Sequence, residues 1–522
     1  MSLELIRDSI RINQVIGEDS TQTVVENDII VPDVKPDVDR ILLLDGDIYS
    51  YNSDISQDRV LVNGAIQYKI LYVSDDEDRS IKSINTNTSF MCSLDIPSAR
   101  SGMSGRVKCE LEHIDYEILN GRKINVKAIV KVTGKVTDEI EKSVISGFGD
   151  SDEVQILKSN VRVNSSLGES TEEFSLQESM EVPAGKPTIR EVLRNDIKII
   201  GKDYKVSDNK IITKGELLVS TLYTGDDENN SIQYMEHELP FTQLVDLTGA
   251  NDYSTCDVDF RITDARFEPA EDSDGELRIL TGEVKLKVTA SGFNKKNIEM
   301  VDDAYSRQIR LNLDKEPFRV EETVAENKGQ IILKDTISMQ EGSPEISEVF
   351  NVLSKPSVSE VKVLDDKIVV EGVVDNNILY LANSEEQPVY CSNQEVPFKH
   401  TMDVKGINQD MACDVGLDVE HCNYSMVSSN EVEIRLVMSI NTKVVSHNEI
   451  PLVVKVNELP VDERLIENQP SITIYFVKPG DSFWNIAKKY YTTVEEIRGA
   501  NNINDREILY PGQQLVIPKR RI

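Results

Sequence analysis

The chain is poor in the residues that most often carry chemistry. Its 522 residues include one Trp, five His and six Cys. The histidines (His113, His237, His400, His421, His447) are scattered along its length. The cysteines (Cys92, Cys109, Cys256, Cys391, Cys413, Cys422) form no CxxC pair, so they read as reduced thiols that mostly fill cores. Cys413, His421 and Cys422 come nearest to a metal cluster. Adjacent residues of one strand point to opposite faces, so His421 and Cys422 on a strand do not share an ion. No GxSxG, HExxH or GxGxxG occurs. Gly134-Lys135, Gly185-Lys186 and Gly201-Lys202 are followed by Val, Pro and Asp, which argues against a P-loop. The expectation is a non-enzymatic protein with no catalytic residues, no metal and no cofactor.

Long apolar runs are missing too. Nothing approaches the ~18 apolar residues of a spanning helix, so no membrane span is expected. The opening MSLELIRDSIRIN has no apolar run of signal-peptide length, so the chain is expected to stay in the cytosol. Basic residues are scarce: 57 Lys and Arg face 91 Asp and Glu, a net charge of −34. That balance excludes general nucleic-acid binding, which needs cations to displace counterions from phosphate, and argues against docking on anionic lipid. The charge is uneven. From Ser471 to Ile522 eight Lys/Arg oppose five Asp/Glu, a balance of +3 that leaves −37 on the remainder. The last module differs chemically from what precedes it.

What the chain does have is repetition. At offsets of 151 and 157 residues, Arg11, Arg162 and Arg319 align, as do Pro36, Pro187 and Pro344. Gly64, Gly215 and Gly372 follow, then Leu71-Tyr72, Leu222-Tyr223 and Leu379-Tyr380. Phe90, Phe241 and Phe398 close the set with Val107, Val258 and Val415. A register held over nearly a hundred residues means three tandem copies.

In each copy the clearest stretch is a hairpin: RVLVNGAIQYKILYVSDDEDRSI, KIITKGELLVSTLYTGDDENNSI, KIVVEGVVDNNILYLANSEEQPV. Period-two alternation of β-branched and polar residues marks half-buried strands, and the shared Gly marks a bulge or a close backbone approach. The segment IREVLRNDIKII before the second hairpin is compatible with a short helical turn. The acidic turns (Asp75, Asp76, Glu77, Asp78; Asp226, Asp227, Glu228; Glu385, Glu386) lack the spaced calcium-loop pattern and read as solvated hairpin tips. The fold class expected is mainly β: three tandem antiparallel, sandwich-like modules over 1–148, 149–300 and 301–459. A linker over 460–471 and a small α+β module over 472–518 complete the chain.

That last module reads as βααβ. Ile472, Ile474 and Phe476 alternate on a strand, and Pro479-Gly480 turns. Asp481 or Ser482 caps a first helix, Thr492 or Thr493 starts a second, and Pro511-Gly512 leads into the last strand. Tyr475, Val477, Gly480-Asp481-Ser482, Trp484, Ile486-Ala487, Tyr490, Asn501, Ile503, Leu509, Pro511-Gly512, Leu515 and Ile517-Pro518 resemble the LysM signature. Phe483 departs from it, standing where LysM modules usually carry Leu. The resemblance implies binding of N-acetylglucosamine polymers such as peptidoglycan. The groove would lie between Gly480, Asp481, Ser482, Phe483 on one loop and Ile503, Asn504, Leu509, Tyr510, Pro511 on the other. Several of these positions also serve turns and core. Trp484, beside Lys488, suits a protein contact or packing alike.

Peptidoglycan lies outside the membrane and no export signal is seen, so an intracellular protein ligand is an alternative. The whole arrangement resembles the SipL-type spore coat morphogenetic family, related in role to SpoVID. This resemblance implies a scaffold or adaptor of the mother-cell cytoplasm, recruited to the forespore surface. There it would bind a coat ATPase of SpoIVA type, partly through the LysM module with Trp484 and Lys488 as contacts. The other reading is a wall-associated LysM protein.

Overall fold

The computed structural model describes residues 3–77, 79–149, 153–340, 342–382, 389–460, 472–504 and 508–518. Asp78, the third acidic turn (Glu385, Glu386) and the linker from 461 to 471 lie outside the described residues. Repeat 1 comprises β1 (Leu5–Ile30), β2 (Val38–Asp47), β3 (Tyr51–Ser56), β4 (Arg59–Ser74), β5 (Ile81–Asp95), β6 (Ser104–Asn120) and β7 (Lys123–Phe148). Repeat 2 comprises β8 (Val154–Glu181), β9 (Ile189–Ser207), β10 (Lys210–Gly225), β11 (Ile232–Asp246), β12 (Thr255–Ala270) and β13 (Ile279–Ser306). Repeat 3 comprises β14 (Arg310–Ser338), β15 (Ile346–Leu364), β16 (Lys367–Ala382), β17 (Val389–Asp403), β18 (Ala412–Ser428) and β19 (Glu431–Leu459).

Each repeat is an antiparallel sandwich. One sheet runs β1-β7-β6, repeated as β8-β13-β12 and β14-β19-β18. The other centres on β4, β10 or β16, flanked by its two hairpin neighbours. In repeat 1 the flanking strand is broken into β2 and β3, whereas β9 and β15 are continuous. Val126 and Val130 of one sheet close on Val62, Ile66 and Tyr68 of the other, all sealed from solvent. The segment expected as a helical turn is part of β9 instead. Its Ile197 and Ile199 pair with Val219 and Leu217 of β10, where β-branched side chains pack better than on a helix.

The shared motifs now have causes. Gly64, Gly215 and Gly372 stand directly opposite Phe90, Phe241 and Phe398. A Cβ on any of them would sit 2.6–2.7 Å from the ring's Cζ, so glycine is what lets the ring lie over the backbone. Tyr72, Tyr223 and Tyr380 point into their own sandwich and donate to the carbonyls of Pro36, Pro187 and Pro344 at 3.0, 3.1 and 3.5 Å. The preceding leucines face the other way. Leu71, Leu222 and Leu379 meet each other, with Leu193 and Phe350, in an apolar core shared by all three repeats.

Beside that core lies a buried ion network, also drawn from all three repeats. Arg194 binds Asp45 at 2.9 Å and Asp196 at 2.6 Å, Lys69 binds Asp47 at 2.8 Å and Asp196 at 3.3 Å, and Lys355 closes on Asp45. Burial alone would raise the Asp45 carboxyl. Lys355 and Arg194 overcome it and hold the group well below the usual carboxylate range. Asp196 is likewise lowered, against its burial, by Arg194 and Lys69.

The far ends of the long strands extend past the sandwiches. There Ile10, Val163, Met300, Phe318 and Leu452 form a second three-way core. Between the repeats lies a half-open cleft of about 930 Å³, lined among others by Arg106, Glu169, Asp257, Glu326 and Lys443.

Candidate binding site on the C-terminal module

The C-terminal module folds in the expected order, as β20 (Ile472–Phe476), α1 (Phe483–Tyr490), α2 (Val494–Asn501) and β21 (Gln514–Pro518). The Ser482 side chain accepts from the Asn485 N–H and caps α1. Asp481 is held differently. Its carboxylate accepts from the Lys478 N–H at 2.8 Å and the Tyr475 hydroxyl at 2.7 Å, which fixes the first loop. Thr493 caps α2 in a reciprocal capping box with Glu496. Gly480 and Gly512 have φ of +86° and +87°, a conformation that favours glycine in both turns. Asn501 ties α2 to β21 through both Val516 backbone groups at 2.7 Å.

The two loops expected to form the groove carry both exposed and half-buried residues. Gly480, Ser482, Asn504, Tyr510 and Pro511 are exposed, Tyr510 to 69%. Asp481, Phe483, Ile503 and Leu509 are half-buried. The last three pack on the core of Val477, Ile486, Ala487, Ile497, Leu515 and Ile517. The Arg498 guanidinium lies 4.9 Å over the Phe483 ring, so the residue that departs from the usual Leu gains a cation–π partner. Backbone and hydroxyl groups beside apolar rings are the equipment for an N-acetyl sugar.

Trp484 and Lys488 lie on the face of α1 that is turned to repeat 2, and they are occupied. The Trp484 indole donates to Asp303 of β13 at 2.8 Å, and the Lys488 ammonium binds both Asp303 oxygens at 2.7 and 2.8 Å. Tyr305 meets the indole edge-on at 4.9 Å and donates to the Thr492 carbonyl at 2.8 Å. Arg307 reaches Glu496 at 3.2 Å. Burial opposes ionisation of Asp303, but Lys488 and Trp484 prevail and its pKa is lowered.

Sequence reasoning missed Asp303, Tyr305 and Arg307. What sets them apart shows in the register of strand pairing and not at the fixed offsets of 151 and 157: the pairing matches Asp303 with Gly147 and Lys455, and Tyr305 with Gly149 and Asn457.

The cysteines are all free. Burial pushes Cys256 and Cys413 to about 11 and Cys109 and Cys391 to about 12, so these thiols stay protonated at neutral pH and are inert. Among the described residues no helix is long and apolar enough to cross a membrane.

Three sandwiches fused through common cores, with one small βααβ module docked on the second, define a multi-domain protein. Comparison with known families agrees. The SipL, SPOCS domain matches three times, over residues 37–119, 188–269 and 345–427, and the LysM domain matches 475–518. The chain is a SipL-type protein, three SPOCS domains followed by LysM. Each SPOCS match covers the sheet centred on β4, β10 or β16 and the strand after it (β6, β12 or β18), and leaves out the long strands β1, β7, β8, β13, β14 and β19. Both families are non-catalytic binding domains, and together they make this a sporulation-related protein of peptidoglycan-binding type. No solved structure matches.

Proposed function

We propose that the protein is a non-enzymatic scaffold of spore coat assembly, which acts in the mother-cell cytoplasm at the forespore surface and holds a coat ATPase of SpoIVA type. The observation that carries this reading is the division of the chain. Three repeats are spent on one another through shared apolar cores and a buried ion network, and on the LysM module Gly480, Ser482, Asn504, Tyr510 and Pro511 remain exposed. That is the layout of a platform with a presented binding element. The groove residues Gly480, Asp481, Ser482, Phe483, Ile503, Asn504, Leu509, Tyr510 and Pro511 take the ligand. Trp484 and Lys488 exchange their Asp303 contact for a partner when α1 leaves repeat 2.

A second reading is a peptidoglycan or N-acetylglucosamine ligand. It is favoured by the exposure of the sugar-type groove while the Trp484 face is engaged.

The full chain is offered purified SpoIVA-type ATPase and, separately, insoluble peptidoglycan. Capture of the ATPase, weakened by Tyr510→Ala, supports the adaptor. Sedimentation with peptidoglycan and no capture of the ATPase replaces it with the wall-binding reading.

A further inference from the structure

We propose that the end of β13 in repeat 2 is a docking seat for the LysM module, built to receive the α1 face and leave the groove outward. Three observations carry this independently of any external ligand. First, the contact is chemically matched. One carboxylate, Asp303, receives both the indole N–H and the ammonium, so Trp484 and Lys488 satisfy it together. Second, repeat 2 completes the LysM core. Tyr305 is 4% exposed and packs with Ile486, Ala487 and Ile497 of the module, while its hydroxyl holds the Thr492 carbonyl just before α2. Third, the seat belongs to one repeat. The linker leaves repeat 3, yet the module docks on repeat 2, whose Asp303 and Tyr305 have no equivalent in either sister. If general acidity drew the basic module down, any repeat would serve.

The seat also defines what competes for the α1 face. A protein that binds Trp484 and Lys488 must present a carboxylate within reach of both and an aromatic edge beside the indole, and it must displace repeat 2. Its apparent affinity is then lowered by the closed fraction of the seat. This consequence rests on the adaptor reading above; the seat itself does not.

Trp484 is the only tryptophan of the chain, so its fluorescence reports the seat without labelling. In the full-length protein, acrylamide should quench it weakly. The double variant Asp303→Lys, Tyr305→Asn gives repeat 2 the residues that repeat 3 carries on the same strand. It should redden the emission and raise the quenching constant several-fold, with the far-UV circular dichroism of the β body unchanged. The single variant Asp303→Asn keeps the ring contact and should fall between. Equal quenching in wild type and both variants would overturn the seat. Failure to bind coat ATPase or wall material, with the fluorescence change present, would sink the adaptor reading and leave the seat standing.

Discussion

Replacing Asp45 with Asn tests whether the three repeats are one body. Asp45 holds two cations from two other repeats: Arg194, whose side chain is 4% exposed, and Lys355, 46% exposed. The substitution keeps the shape and removes the charge. Arg194 keeps Asp196, but the network, balanced in the wild type at three carboxylates to three cations, is left with a buried excess of one positive charge. Breaking a buried pair from one side costs about 3–5 kcal/mol, and the half-exposed Lys355 places this case near 3 kcal/mol. Lys355→Met should cost less, because Asp45 retains Arg194.

The two sites touch, so the double variant should fall short of the summed costs by about 1 kcal/mol or more. Urea unfolding measures the three values. Hydrogen exchange adds location: Asp45→Asn in repeat 1 should speed exchange in β15 and β16 of repeat 3 as well as in β4. If protection falls in repeat 1 alone, or the two substitutions add, the repeats are independent beads and the network is incidental.

Gly215→Ala drives a methyl into the Phe241 ring, 2.7 Å from Cζ, and should lower the urea midpoint by an amount equivalent to about 1–3 kcal/mol. Acid should destabilise the protein. Asp45 and Asp196 have lowered folded pKa values, so their contribution is complete above the unfolded carboxylate value of about 4 and is lost as pH falls below it through the folded values. Alkali acts through the thiols. Their folded values of about 11 to 12 exceed the unfolded value, so stability is whole below about 8.5 and declines as pH rises from there, which a pH series of thermal melts reads directly.

The triplication was legible because its signals are structural obligations. Glycine under a phenylalanine ring, tyrosine donating to a proline carbonyl and leucine on the opposite face recur wherever the sandwich recurs. The LysM fold was legible for the same reason, since Gly480, Ser482, Thr493 and Gly512 each meet a turn or cap that little else satisfies. IREVLRNDIKII misled because its spacing suits a helix, and only pairing with β10 decides for strand. The partner of Trp484 was not legible. Asp303 lies 181 positions away, and a carboxylate in a chain with 91 acids carries no mark of its own. Its mark is a difference between sister repeats, which shows only when the aligned copies are read for what they do not share.

Another such difference lies where the repeats face one another, and charge explains it. Glu18, Glu169 and Glu326 occupy matching positions around the cleft between the repeats, and so do Arg106, Asp257 and Asp414. Three identical copies of repeat 2 would bring six carboxylates to this space. The chain avoids that by placing a cation in one copy: Arg106 binds Glu169 at 3.0 Å and Asp257 at 2.6 Å. Glu326 still feels the crowding; burial, reinforced by Asp257 against nearby lysines, raises its pKa. Joining the copies in one polypeptide allows this asymmetry, which a homotrimer cannot have. Arg106→Asp restores the symmetric residue and should weaken the contact between repeats 1 and 2. Because Arg106 is 46% exposed, the loss should be smaller than for Asp45→Asn, and about 1 M salt, with its Debye length near 3 Å, should recover much of it. An unchanged urea midpoint at low salt, or a loss that salt does not relieve, would show that like-charge repulsion is not what made the repeats diverge here.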